Sequence, residues 1–257
     1  MRRNRKATSS DLVTVSLTVP KSWAELDEKQ LRQVFKLVAQ ETTTTELKLL
    51  CMMRWNKLKL VCHHGKGYIM KHRGQEFYSD AETLVSALKF LDYLGELPQP
   101  PIRYERLGRH RAADPLLQGL GFGIYLYCEN LYQGWLMTQD TELLEQIGQL
   151  LYDCPNRRLK PHERYMVFYW WAAVKDRFAK EFRHFFVTSQ EGDGNLLGQG
   201  DISTRLKDGM NAQIRALTKG DVTKEKEIMA MDVWRALTEL DALAKEYEEI
   251  KRKYGKS

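Results

Sequence analysis

Apolar and polar residues alternate over residues 11–19, where Val and Thr dominate and Pro20 ends the run. Period-two alternation of β-branched residues predicts a strand. Helical spacing follows, because Leu26, Leu31, Val34, Phe35 and Val38 form a stripe that continues to about Gln40. Ser22 and Glu25 precede this stripe at capping-box spacing.

A second helix is predicted after the polar segment ETTTTE, with Leu47, Leu50, Cys51 and Trp55 on it. Two short apolar runs then flank Gly65-Lys66-Gly67, which predicts a hairpin turn, and Gly74 predicts another turn. Asp80 is a predicted N-cap for a helix over about 81–94 that Gly95 ends.

Residues 96–120 contain four of the seven prolines, so regular structure is not expected through most of this segment. It is either a linker between two domains or an ordered strap, because Ile102, Tyr104 and Leu107 alternate. The pattern after Gly121 is helical, with helices predicted over about 122–137, from Asp140 to about 151, over 161–187, 202–217 and 222–253. Four glycines predict a flexible loop over 189–200, and Lys219-Gly220-Asp221 ends one helix and caps the next.

The predicted fold is therefore mainly α with a small β part. A basic flexible arm (residues 1–10) precedes an N-terminal α+β unit of strand and hairpin (11–95). The Pro-rich linker or strap (96–120) leads to a helical domain with a long C-terminal helix (121–257). A chain of 257 residues can bury a sizeable core without disulfides or metals.

Charge and cysteine content indicate the cellular compartment of the protein but not its function. The net charge of +6 is mildly basic, and no apolar segment follows the basic start MRRNRK, as a secretory signal would require. The sequence contains no run of about eighteen apolar residues, so no membrane span is predicted. The four widely spaced cysteines are typical of reduced thiols, so we expect a cytoplasmic protein.

Catalytic, cofactor and metal patterns are not evident. Cys62-His63-His64 lacks the second short pair of a zinc site, and neighbouring strand residues point to opposite faces, so surface histidines are favoured. The glycines at 65–67, 121–123 and 192–200 do not match phosphate-binding motifs, and neither G-x-S-x-G nor H-E-x-x-H occurs. We predict a protein that is not an enzyme and needs no cofactor.

Two binding hypotheses remain. In one, Arg103, Arg106, Arg109 and Arg111, with the basic arm, follow a nucleic-acid backbone. The alternative for these arginines is a solvated loop that pairs with surface acids.

The other hypothesis is a protein partner. The stretch FGIYLYCENLYQGW has Glu129 as its only charge, which favours a packed helix over base stacking and leaves Tyr125 and Tyr132 as interface candidates. The apolar stripe of the last helix, including Trp234, Leu237, Leu243 and Tyr247, either packs on the protein's own helices or binds a partner.

Three stretches resemble phage-derived tail-morphogenesis proteins of the tail assembly chaperone type: LTVPKSWAELDEKQLRQVFKLVA, FGIYLYCENLYQGWLMTQDTELLEQIGQLLY and IRALTKGDVTKEKEIMAMDVWRALTELDALAKEYEEIKRKY. The resemblance implies a helix-rich, non-enzymatic protein that holds a tape-measure or other tail protein before the tail polymerises. It assigns no role to individual residues.

Overall fold

The computed structural model describes residues 15–186 and 202–254, with side chains from residue 208 onward in the second range. The chain forms two compact units, Met1–Pro98 and Gln99–Ser257, which divide inside the Pro-rich segment. The prediction of a mainly α fold with a small β part is confirmed. The predicted basic arm (1–10), the first part of the predicted strand (11–14) and the predicted loop (189–200) lie outside the described residues.

The first unit begins with a 3-10 helix, Trp23–Glu25, followed by α1 (Glu28–Val38) and α2 (Thr44–Trp55). Both α-helices start with a capping box, in which Asp27 and Thr43 bond to the backbone N–H three residues later. The capping box predicted at Ser22 is wrong, because the Ser22 side chain makes no cap hydrogen bond.

The predicted strand over 11–19 is also wrong within its described part, since residues 15–20 form no strand. A strand requires a neighbouring strand that satisfies its backbone groups. Here the backbone N–H of Thr18 donates instead to Asn56 Oδ1 at 2.9 Å.

Three antiparallel strands form the main sheet, in the order β1 (Lys59–His64), β2 (Gly67–His72) and β3 (Gln75–Asp80). Gly65 and Lys66 connect β1 to β2, as predicted. Arg73 and Gly74 connect β2 to β3, and both have positive φ, as the turn typical of two-residue hairpins requires. Met70 is buried beneath the sheet, whereas every residue of β1 is exposed.

Asp80 caps α3 (Ala81–Leu88), as predicted, by accepting a hydrogen bond from the backbone N–H of Thr83 at 2.7 Å. A 3-10 helix (Lys89–Gly95) continues α3 where the sequence predicted further α-helix. Trp23 packs on Phe35 and Tyr93, with ring centroids 6.1 and 5.9 Å apart, and fixes the centre of this unit.

The second unit opens with the Pro-rich segment, most of which is irregular, as predicted. It contains only a short hairpin of β4 (Arg106–Leu107) and β5 (His110–Arg111). Tyr104, Leu107 and Leu117 are fully buried, and Tyr152 donates its hydroxyl to the Tyr104 carbonyl at 2.7 Å. The segment from residue 99 onward is thus an ordered part of the second unit.

The α-helices of this unit whose bounds lie within the described residues are α4 (Phe122–Thr138), α5 (Thr141–Leu151), α6 (Pro161–Glu181), α7 (Ile202–Thr218), α8 (Glu225–Ala230) and α9 (Val233–Tyr254). A 3-10 turn, Val222–Lys224, precedes α8. Aromatic side chains of α4 and α6 fill the core, where Trp170, Trp171, Phe122 and Phe178 are fully buried.

The single helix predicted over 222–253 is wrong, because the chain breaks between α8 and α9. Residues 231–233 pair instead with residues 120–122: Met231 O accepts from the Phe122 N–H at 2.7 Å, and Leu120 O accepts from the Val233 N–H at 2.9 Å. A Cβ on Gly123 would lie 2.9 Å from Met229 Cε, so glycine permits this close approach.

Candidate interaction surfaces

Asp232 positions the start of α9. Its Oδ1 accepts a hydrogen bond from the Trp234 backbone N–H at 2.9 Å, and its Oδ2 accepts one from the Gly119 N–H at 2.6 Å. One carboxylate therefore caps the helix and ties it to the segment before α4. These two hydrogen bonds set the direction in which α9 leaves the core.

The first half of α9 belongs to the core. Val233, Ala236, Leu237 and Leu240 are buried. Trp234 packs edge-on against Phe178 and Phe182, and its indole N–H donates to the Leu116 carbonyl at 2.7 Å. Leu237 and Trp234 were predicted to bind a partner, but their apolar surface is used inside the unit.

The second half of α9 exposes an apolar stripe. We call Leu243, Tyr247, Ile250 and Tyr254 the C-terminal stripe. Their exposed fractions are 37, 59, 56 and 77 %. The spacing of four, three and four residues places them along one side of the helix. Among the five predicted partner-binding residues, Tyr247 is the one that lies on this surface.

The opposite side of the same helix half is anchored. Asp241 Oδ1 accepts a hydrogen bond from the Phe185 backbone N–H at 3.0 Å, and Glu248 Oε2 lies 3.0 Å from His184 Nδ1. Because an α-helix turns once in about 3.6 residues, Asp241 and Glu248 lie opposite the C-terminal stripe. The stripe consequently faces away from the contacts that hold the helix.

The side of the aromatic helix α4 that was predicted to be an interface is buried. Tyr125 and Tyr132, predicted at an interface, are 3 and 8 % exposed, whereas Tyr127 is half exposed. Tyr125 lies between Phe122, Trp171 and Phe178, with ring centroids 5.6 to 6.1 Å away, and burial raises its pKa well above the ordinary range. The conclusion that this stretch is core is confirmed, but both candidate interface tyrosines lie inside it.

The single charge of that stretch, Glu129, organises the contact between α4 and α6. Lys175 forms an ion pair with its carboxylate, and the indole N–H of Trp171 donates to Oε2 at 3.2 Å. Gln133 Nε2 donates to Oε1 at 2.7 Å. Lys175 also lies over the Tyr132 ring, 5.1 Å from its centroid. These contacts satisfy the carboxylate within the unit.

The four arginines of the nucleic-acid hypothesis separate into two groups. Arg103 folds inward, where its Nε donates to the Ala113 carbonyl at 2.7 Å and its guanidinium pairs with Glu105. Arg106, Arg109 and Arg111 are exposed on the β4–β5 hairpin, with Arg106 directly opposite Arg111. The structure brings these three together and excludes Arg103 from the group.

Cys62, His63 and His64 lie on the exposed strand β1, where the two histidine rings pack edge-on against Tyr68 and Tyr78. Within residues 15–186 and 202–254, no group of three His, Cys, Asp or Glu side chains is placed to hold a metal ion. The other three cysteines are buried. Burial raises the pKa of the Cys51 thiol to about 12 and also raises the pKa values of Cys128 and Cys154.

Comparison of the chain with protein-family models, with curated proteins and with solved structures found no match in any of the three. No helix in the described part of the chain is both long and apolar enough to cross a membrane.

Of the four residues of the C-terminal stripe, the sequence prediction named only Tyr247 as a partner-binding residue. Leu243 was assigned to the apolar stripe of the last helix, but its exposure could not be predicted. Ile250 and Tyr254 lie in the charged tail EEIKRKY, where the apolar pattern thins. They follow Tyr247 by three and seven residues, and this helical spacing could have placed them on the same side of the helix.

Proposed function

We propose that this protein is a non-catalytic assembly protein of a phage-like particle, which holds a helical or disordered partner during tail assembly through the C-terminal stripe. The observation that carries the proposal is the difference between the two halves of α9. The first half is buried, whereas the second presents Leu243, Tyr247, Ile250 and Tyr254 outward.

The size of the stripe suits a partner helix. At a rise of about 1.5 Å per residue, residues 243–254 extend about 16 Å along the helix axis. Alternation of three and four residues is the spacing by which helices pack side by side in coiled coils. A disordered partner would become helical on this surface and lose conformational entropy in doing so.

The chemistry of the stripe supports binding rather than simple exposure. Two of its four residues are tyrosines, whose rings provide apolar contact area and whose hydroxyls tolerate water at the rim of an interface. Glu246 and Lys253 flank the stripe with opposite charges, so a partner with complementary charges is favoured. The anchors at Asp241 and Glu248 hold the helix while its other side stays available.

Cross-linking tests the proposal. A photoreactive phenylalanine analogue replaces Tyr247 in cells that carry the gene with its natural neighbours, and Lys245, on the same helix outside the stripe, is the matched control position. We expect Tyr247, but not Lys245, to cross-link to a helix-rich tail protein, and tail assembly to fall when the stripe is disrupted.

Two results would reject the proposal. Cross-linking of position 247 only to a second copy of the chain would make the stripe a self-association surface. Normal particle assembly with Tyr247→Ala and Ile250→Ala combined would show that the stripe has no part in assembly.

A further inference from the structure

The first unit concentrates positive charge on and beside strands β1 and β2. Residues 47–75 contain seven Lys and Arg residues and no Asp or Glu, although the whole chain has a net charge of only +6. Five of these seven cations lie on or beside the β1–β2 hairpin, which we call the basic hairpin. They are Lys57, Lys59, Lys66, Lys71 and Arg73.

Few carboxylates lie near these five cations. Lys48, from the same segment, pairs with Asp92 at 2.7 Å. Among the residues that the structure describes, none of the five cations of the basic hairpin forms an ion pair with a carboxylate, although Glu76 on β3 is the cross-strand partner of Lys71. Four of the five are exposed and Lys71 is half-buried. The hairpin therefore presents net positive charge to a ligand.

Four of the five cations lie at one end of the hairpin. Lys59 and Lys71 are cross-strand partners and so lie on the same face, with Lys57 just before β1 and Arg73 just after β2 at the same end. Lys66 is in the turn at the other end. A six-residue strand spans about 20 Å, so the group of four and Lys66 are separated by about that distance.

We infer that the basic hairpin binds the phosphate backbone of a nucleic acid. One strand of DNA carries a phosphate about every 3.4 Å along the helix axis, so 20 Å covers about six phosphates. A polyanion that runs along the hairpin can therefore contact the four cations at one end and Lys66 at the other. Exposed backbone N–H groups of the β1 edge can add phosphate contacts.

An extended acidic peptide that adds a strand to β1 is the competing ligand. The edge carries Leu60 and Val61, which are 55 and 48 % exposed. However, the β1–β2 register shifts between Leu60 and Cys62, which marks a bulge. Bulges and lysines on an edge strand oppose the addition of another strand. The phosphate backbone is favoured because it needs no regular ladder.

Fluorescence anisotropy of the full chain tests the inference. The probes are a 20-nucleotide oligo(dT), an oligo(rU) of the same length and a 20-base-pair DNA duplex, each labelled with fluorescein and titrated with salt. Contacts with about five phosphates predict that log K falls with log salt at a slope near −4.5 for the duplex and near −3.5 for single strands. The three probes distinguish duplex from single strand and DNA from RNA.

Two triple variants with the same charge change localise the site. The first combines Lys59→Gln, Lys66→Gln and Lys71→Gln. The second combines Arg106→Gln, Arg109→Gln and Arg111→Gln on the β4–β5 hairpin of the other unit. In 0.1 M salt we expect the first to bind on the order of a hundredfold more weakly, with a slope near −2, and the second to retain most of its affinity. Circular dichroism verifies that both variants are folded.

Several outcomes would overturn the inference: no binding of any probe in 20 mM salt, equal losses in the two variants, or a loss confined to the arginine variant. Displacement of the probes by poly-glutamate at equal charge concentration would instead indicate an acidic protein ligand. The inference is independent of the proposed function. A hairpin variant that still cross-links through position 247 would separate the two sites.

Discussion

Helix α4 and the second half of α9 both contain tyrosine and large aliphatic residues, which are mostly core in α4 and surface in α9. In α4, Tyr125 and Tyr132 are buried against α6, and the one carboxylate of the aromatic stretch, Glu129, is satisfied by Lys175. In α9, Tyr247 and Tyr254 are more than half exposed. These tyrosines are therefore buried in the helix with a single charge and exposed in the helix half with eight charges (residues 241–254), so neighbouring residues and the elements that face each helix together determine its role.

The largest loss of stability is expected from a substitution on the buried side of α4. Tyr125→Ala leaves a cavity among three aromatic rings, and we expect the free energy of unfolding to fall by about 3–5 kcal/mol. Tyr127→Ala, on the exposed side of the same helix, should cost less than about 1 kcal/mol. Urea unfolding measures both. Equal losses would contradict the assigned faces of α4.

The next effect concerns the polar contact between α4 and α6. Lys175→Met leaves the Glu129 carboxylate without its cation, and we expect a loss of about 2 kcal/mol because the pair is largely but not fully buried. Lys180→Met, which breaks the exposed pair with Asp176, should cost no more than about 0.5 kcal/mol. If the two variants unfold at the same urea concentration, the Glu129 contacts do not stabilise the interface of these helices.

A smaller effect is expected at the start of α9. Asp232→Ala removes a helix cap and the bond to Gly119, at a cost of about 1–2 kcal/mol. Asp221→Ala removes bonds that lie within a single local turn, and we expect it to cost less than half as much. Thermal unfolding followed by circular dichroism compares them. A greater loss at Asp221 would show that Asp232 does not position α9.

Much of the fold follows from local patterns. Turns and helix caps depend on neighbouring residues, and several such predictions are confirmed. They are the turns at Gly65-Lys66 and Gly74 and the helix caps at Asp80 and Asp221. The predicted strand over 11–19 failed in its described part because strand formation needs a partner, which alternation alone does not supply. The break at Met231 and Asp232 depends on hydrogen bonds to residues 119–122, more than a hundred positions away.

The surfaces were harder to predict for the same reason. Period 3.6 identifies an apolar side of a helix, but not whether another element covers it. Leu237 and Leu243 belong to one predicted stripe, and only the first is buried. Tyr125 and Tyr127 are two positions apart, and which of them faces α6 is a matter of tertiary packing.

The smallest stability effect is expected in the C-terminal stripe, where the effect on binding should be largest. Combining Tyr247→Ala and Ile250→Ala removes exposed apolar side chains and introduces a good helix former. We therefore expect the free energy of unfolding to change by less than about 0.5 kcal/mol. Lys245→Ala with Glu249→Ala, on the same helix half, is the matched control.

Co-purification of these variants with the tail protein identified by cross-linking tests the central claim most directly. The account predicts that the stripe variant loses the partner while remaining as stable as the control, and that the control retains the partner. Retention of the partner by a folded stripe variant would contradict the claim that this half of α9 is a binding surface.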